Sequence, residues 1–229
     1  MTAAPRLFAT AQDGIAAEVA MLERVAMTGG AAQLLWRAEQ QAVVLPRACL
    51  RRPGFSGAAL RAARAGWPLV ARPTGGGAVP QGPGVLNLAL AFPAEPGQTP
   101  DAAYRRLCTP LVAAFGQLGL KVAPGETAGS FCDGAWNLSC QGRKIVGTAQ
   151  RWRKGKTGQA ILAHALILID PPLDQAVTVI DRLQGTLNLG LPVTRGAHAS
   201  LRELRPDLGE QDFIGALVAI HTDPRPVRA

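Results

Sequence analysis

The sequence offers little for metal chemistry. Its three histidines are widely separated, and its four cysteines (Cys49, Cys108, Cys132 and Cys140) form no C-x-x-C pair. No ligand set with zinc spacing results, and no metal site is expected. No stretch approaches the roughly 20 apolar residues of a membrane span. The first residues, "MTAAPRLFATAQDGIAAEVA", lack a basic segment followed by an apolar core, so no signal peptide is expected. The compartment these features suggest is a reducing cytoplasm with the thiols free. Acids are scarce: 16 Asp and Glu face 24 Lys and Arg, a net charge of +8. A surplus of that size suits nucleic acid, an anionic membrane, a phosphorylated ligand or an acidic protein, or is simply a basic surface. Aromatic residues are also few, and only Trp152 interrupts the densest basic run. With no recognised nucleic-acid module, binding of RNA or DNA is disfavoured. What is abundant is apolar: 48% hydrophobic against 17% charged residues describes a well-buried core.

Hydrophobic spacing predicts a helix over residues 12–27, with Ile15, Val19, Leu22 and Met27 on one face. Strands are expected at "AQLLWRA", "QAVVLPRA", "WPLVAR" and "VLNLALAF". Thr99-Pro100-Asp101 reads as a cap, a proline at the first helical position and an acid in the first turn. The helix it opens presents Ala103, Leu107, Leu111, Phe115 and Leu118, with a kink expected at Pro110. Residues 135–150 read as a hairpin turning at Gln141-Gly142, with a further strand over 160–169. Pro171 and Pro172 open a helix to about Leu183, and residues 198–221 hold one or two more. Strands fill the middle and helices the ends. The expected fold is α+β, with mixed or antiparallel β-sheets packed with helices, and residues 1–229 form a single domain.

Gly75, Gly76 and Gly77 follow Arg72 between two of these strands. Glycine is costly to order, and three in a row need a reason. No G-K-[ST] follows, which excludes a phosphate-binding P-loop. A strand rather than a helix comes next, which excludes a dinucleotide fingerprint. Two readings remain: a plain glycine-rich turn, or a floor over which an extended ligand lies with no Cβ to obstruct it. Lys144, in "GRKIVGTAQRW", follows a tight turn and precedes the small residues Gly147, Thr148 and Ala149. A lysine there is either solvated or a compact cation that bridges a carbonyl oxygen and a phosphate.

Taken together, Arg72-Pro73-Thr74-Gly75-Gly76-Gly77-Ala78-Val79, Pro83-Gly84-Val85-Leu86-Asn87-Leu88 and Gly142-Arg143-Lys144-Ile145-Val146-Gly147-Thr148-Ala149-Gln150 resemble the motifs of the lipoate–protein ligase A and octanoyltransferase family. Biotin protein ligases belong to the same clan. The motifs keep the family's order and approximate spacing, and the resemblance runs from about Leu34 to Asp170. It implies a biotin/lipoate protein ligase catalytic-domain fold and transfer of a lipoyl or octanoyl group to a protein lysine. By the same resemblance Lys144 matches the catalytic lysine, and Arg72 would bind near the acyl or phosphate end. Gly75, Gly76 and Gly77 would flank the aliphatic chain. Thr74, Ala78, Val79, Asn87, Gly147, Thr148 and Ala149 fall within the motifs as ligand-binding positions. Asn137 aligns with a position usually acidic in the ligases, and Gln81 stands where many members have histidine. His164 matches a histidine often carried on that strand, as a ligand neighbour or a satisfied core residue.

The resemblance leaves the activated donor open. The ligase type, closest in the glycine and lysine motifs, is the first reading: it uses ATP, Mg2+ and free lipoate and passes through an acyl-adenylate. A transferase branch takes octanoate from acyl carrier protein through a cysteine thioester, and Cys132, in "GSFCDGAW", lies where that branch keeps its nucleophile. A second, lysine–cysteine branch has an R-G-G-x-x-T-x-H-x-P-G-Q pattern that residues 72–84 do not show. The acceptors implied are lipoyl domains of 2-oxoacid dehydrogenases or the glycine cleavage H protein. Only about 48 residues follow Asp181, so no separate accessory domain is expected, and a ligase would need an accessory chain. Arg143, Lys144, Arg151, Arg153, Lys154 and Lys156 have no acid among them. They read as a loop that neutralises a nucleotide phosphate, docks an acidic carrier domain or is merely solvated. Cys49, Cys108 and Cys140 read as structural. A non-catalytic protein that binds an acyl group or biotin is the remaining alternative.

Overall fold

A computed structural model describes residues 4–156 and 158–222. In chain order the elements are β1 (Arg6–Phe8), α1 (Ala11–Thr28), β2 (Ala32–Ala38), β3 (Ala42–Pro46), α2 (Phe55–Arg64), β4 (Leu69–Arg72), β5 (Val79–Gln81) and β6 (Val85–Pro93). They continue with α3 (Pro100–Gln117), β7 (Val122–Pro124), β8 (Leu138–Cys140), β9 (Arg143–Gly155), β10 (Gly158–Leu168), α4 (Leu173–Leu187), α5 (Leu201–Leu204) and α6 (Glu210–Thr222). Seven strands form one sheet in the order β1-β2-β6-β10-β9-β8-β7, and β4-β3-β5 form a second. Pairing is antiparallel except at β1–β2 and β3–β4. This is the α+β arrangement expected from the sequence.

Period-two alternation along β6 and β10 gives the large sheet two different faces. Leu86, Leu88, Phe92, Ile161 and Ile167 pack on one side with Leu107, Phe115 and Phe213 of α3 and α6. Ala89, Ala91 and Leu162 meet Met21, Leu22 and Val25 of α1 on the other. There too, Leu166 and Leu168 join Val43–Leu45, Trp67 and the buried stripe of α4. The site lies on this second side, between the two sheets. No helix among the described residues is long and apolar enough to cross a membrane.

Local chemistry explains the main elements. Thr10 and Asp13 form a reciprocal capping box that starts α1, and Gly29 ends it in the left-handed conformation. Gly14 admits the Trp36 ring, which a Cβ would meet at 2.2 Å. The buried stripe of α1 is Ile15, Glu18, Leu22 and Val25; the expected Val19 is half-buried and Met27 is exposed. Thr99 caps α3 as expected, and the helix runs through Pro110 to Gln117. Gln141 and Gly142, at φ 52° and 72°, make the two-residue turn between β8 and β9. The hairpin strand expected after Gln141-Gly142 is present and runs on through most of the basic stretch read as a loop. From Arg143 to Gly155 it is one strand, paired with β10 from Val146 onward, because the alternating apolar residues of β10 give it a partner along its length.

Candidate active site

The cysteine at position 132 sits where several elements converge. Its backbone is left-handed, at φ 50°, a strained choice for a residue other than glycine. Four side chains hold it and its neighbour. Lys144 Nζ donates to the carbonyls of Phe131 (2.6 Å) and Cys132 (2.8 Å). Asn137 Nδ2 donates to the Cys132 carbonyl at 2.9 Å, while its Oδ1 accepts from the Thr148 amide. The Phe131 amide donates to His198 Nε2 at 3.0 Å, and the His198 ring stacks on the Phe131 ring with centroids 4.1 Å apart. Arg72 Nη2 lies 3.8 Å from the Cys132 sulfur.

Lys144 is 0% exposed, so its ammonium is a buried charge held by backbone dipoles. Burial pushes its pKa down to about 8, against the pull of Cys132 and Asp133. His198 is pushed down to about 4, first by burial and then by the Lys144 charge. It is therefore neutral near pH 7, and its Nδ1, 2.9 Å from the Thr194 carbonyl, carries the hydrogen. Nε2 is left to accept. Among the other cysteines, burial pushes Cys108 up to about 12 and raises Cys49 and Cys140. Such thiols are inert.

The triglycine turn wraps the other side of the sulfur. Arg72, itself buried, donates to the carbonyls of Gly75 (2.9 Å) and Gly77 (2.7 Å) and fixes the turn. The Gly77 amide donates to Cys132 Sγ at 3.0 Å. A Cβ at Gly76, where φ is 97°, would lie 2.6 Å from that sulfur. One at Gly77 would lie 3.1 Å from Cys132 Cα, whereas Gly75 has open space. What approaches the bare backbone is thus the cysteine loop, 55 residues further along the chain.

Two cavities meet at Cys132. The inner one, about 470 Å3, is lined by apolar groups of Ile15, Trp36, Val44, Val79 and Leu166, with Gly147, Thr148 and Ala149 on its β9 wall. Much of its polar lining is internally matched. Glu18 accepts from Trp36 Nε1 and lies 2.8 Å from His164 Nδ1, and Gln81 and Asn87 pair through both amide groups. His164 Nε2 is buried with no hydrogen-bond partner among the described residues. The outer cavity, about 620 Å3, is lined by Gly75, Gly76, Tyr104, residues 132–137 and residues 148–150.

The structure thus brings together most of the positions singled out in the sequence. Arg72, Val79, Asn87, Cys132, residues 147–149 and His164 line the inner cavity. Thr74 and Ala78 are buried beside the turn, and the Thr74 hydroxyl has no partner among the described residues. Lys144 lines neither cavity and supports the cysteine loop from below; its Cε and Nζ are the atoms nearest a Cβ built on Gly147. Gly75 and Gly76 line the outer cavity rather than the apolar one expected for an aliphatic chain. Glu18, Trp36, Asp133 and His198 escaped the sequence reading. Only Glu18 left a signal, as an acid on the apolar stripe of α1.

The profile of the lipoyl protein ligase A/B catalytic domain matches residues 12–221. An uncharacterized protein of Cupriavidus necator is 38% identical over 205 residues, covering 83% of this chain and 80% of its own length. An octanoyl-GcvH:protein N-octanoyltransferase of Kyrpidia tusciae is 38% identical over 173 residues; the match covers 73% of this chain and 60% of that enzyme. The crystal structure of lipoate–protein ligase A bound with ATP superposes with a TM-score of 0.73 at 21% identity, over 94% of this chain and 83% of the ligase. That last likeness is one of fold.

Proposed function

The chain belongs to the lipoyl protein ligase A/B catalytic-domain family, and from that premise we propose that it moves an octanoyl or lipoyl group onto a lysine of a lipoyl domain, with Cys132 holding the acyl group as a thioester. The observation that carries this reading is the placement of the Cys132 sulfur. It accepts a hydrogen bond from the Gly77 amide, lies 3.8 Å from the Arg72 guanidinium and opens onto both cavities. A sulfur held in this way can attack an acyl carbonyl brought in beside it.

The acyl chain would occupy the inner cavity, where each buried methylene contributes about 0.8 kcal/mol. The Cys132 sulfur then attacks the acyl carbonyl and a carbon–sulfur bond forms; the bond from that carbonyl to the donor's sulfur or lysine nitrogen breaks, and the donor takes up the thiol proton and leaves through the outer cavity. Lys144, Asn137 and His198 act on the loop rather than on the acyl group. They hold the strained backbone so that the sulfur is already aimed, which removes an ordering cost from the reaction. The donor would be an octanoyl group on the glycine cleavage H protein or on acyl carrier protein, and the acceptors lipoyl domains of 2-oxoacid dehydrogenases or the H protein. Such carriers, where acidic, would suit the outer half of β9, with Arg151, Arg153 and Lys154. Free thiols at all four cysteines suit a reducing cytoplasm.

The adenylate route needs cations for the nucleotide phosphates. The one formally charged side chain lining the outer cavity is an acid, Asp133. This favours the thioester. Intact-mass analysis tests the choice. One arm supplies octanoyl-loaded H protein or octanoyl-loaded acyl carrier protein with an unmodified lipoyl domain; the other supplies free lipoate, ATP and Mg2+. The expected result is acyl transfer in the first arm, with an octanoyl adduct on Cys132, and loss of at least about a thousand-fold in Cys132→Ala with the fold retained. Transfer only in the ATP arm, insensitive to Cys132→Ala, would overturn it.

A further inference from the structure

The outer cavity carries a charge pattern that the attack of the Cys132 sulfur does not itself use. Asp133 follows the nucleophile directly and lines the cavity onto which the sulfur opens. One of its oxygens is pinned: Oδ1 accepts from the amides of Thr127 (2.7 Å) and Gly134 (2.8 Å). These bonds fix the carboxylate's orientation, while Oδ2 has no hydrogen bond among the described residues. The remaining lining is uncharged: Tyr104, Trp136, Asn137, Thr148 and Gln150 among the polar and aromatic groups. A chamber whose single formal charge is a preset carboxylate, beside the reacting sulfur, is matched to a cation.

We infer that Asp133 is the partner of the lysine ammonium, and that the outer cavity is the port by which a carrier's lysine arm reaches Cys132. The inference rests on the thioester reading above and assigns its amine-recognition residue. Acceptor lysine arrives as an ammonium and is held at the rim by Asp133. After one proton passes to water, its nitrogen lone pair attacks the thioester carbonyl. A carbon–nitrogen bond forms, and the nitrogen becomes positive beside the carboxylate, which stabilises that charge. The carbon–sulfur bond then breaks, and the remaining extra proton moves from nitrogen to the departing sulfur. Ammonium plus thioester thus gives amide, thiol and one released proton. When the donor is an acyl-lysine the same steps run in reverse, and the leaving amine takes up the thiol proton and one more from water to depart as the ammonium Asp133 holds.

The test separates amine recognition from loop structure by comparing two nucleophiles. The full-length protein is loaded on Cys132 from octanoyl-coenzyme A and discharged either to an unmodified H protein or to hydroxylamine, which is uncharged near neutral pH. In Asp133→Asn, whose side chain keeps an oxygen for the two amides, the ratio of lysine transfer to hydroxamate formation falls at least about tenfold; Asp133→Glu recovers part of it. An unchanged ratio overturns the inference, whether both rates hold, as for a bystander, or both fall together, as for a merely structural residue. Failure of the wild-type protein to form any adduct on Cys132 from octanoyl-coenzyme A or from octanoyl-loaded H protein overturns the thioester reading, and the inference with it.

Discussion

The two chambers that meet at Cys132 are built from different material. Cys132 apart, every residue lining the inner chamber stands on a helix or a strand: α1, β2 to β6, β9 and β10. Most of its polar groups are matched to one another, as in the Glu18–Trp36 and Gln81–Asn87 pairs. Half or more of the outer wall is loop, from Gly75 to Gly76 and from Cys132 to Asn137, and its acid keeps one oxygen uncommitted. On the thioester reading, the first chamber, walled by regular structure, would hold the acyl chain, and the second, walled largely by loop, would receive the carriers.

That contrast can be broken at its seam. Gly76→Ala puts a methyl group 2.6 Å from the Cys132 sulfur, at a φ of 97° that alanine resists. Transfer should fall at least about a hundred-fold as the sulfur is displaced, with a stability loss of about 2 kcal/mol in urea unfolding. Gly75→Ala, which meets nothing within 4 Å, should leave the sulfur where it is and serves as the control.

Acid probes the support rather than the walls. The folded-state pKa of His198, about 4, lies below its ordinary 6.5, so the unfolded chain takes up the proton first. The stability contributed by neutral His198 is complete above pH 6.5 and is lost as pH falls towards 4, by up to about 3 kcal/mol. Thermal melts across this range should show the loss in the wild-type protein and a flatter profile in His198→Gln. The smallest effect sharpens the inner wall. Val79→Ala widens the cavity by two carbons and should weaken octanoyl loading about tenfold, with a longer acyl chain recovering part of the loss.

How much of this could be read in the sequence follows from how local each cause is. α1, β6 and α3 announced themselves through periodicity and caps, because their determinants lie within a few residues. α2 did not: Gly54 precedes it, with no side-chain cap. The triglycine stretch showed that something must come close, but its neighbour is a cysteine distant in sequence. The first half of β9 is legible as a hairpin strand, but its continuation beyond residue 150 reads as a basic loop, since its order comes from β10 rather than from its own composition. Glu18 and His198 derive their roles wholly from tertiary neighbours, Trp36 and His164 in one case, Phe131 and Lys144 in the other.

The His198 contact also sets an order of events during synthesis. The segment that braces the nucleophile is made late: Thr194, Ala197 and His198 leave the ribosome more than sixty residues after Cys132. Until they do, the Phe131 amide lacks its acceptor and the strained backbone lacks one of its supports. On the thioester reading, the thiol would be fully positioned only once the turn beyond α4 has closed on the cysteine loop.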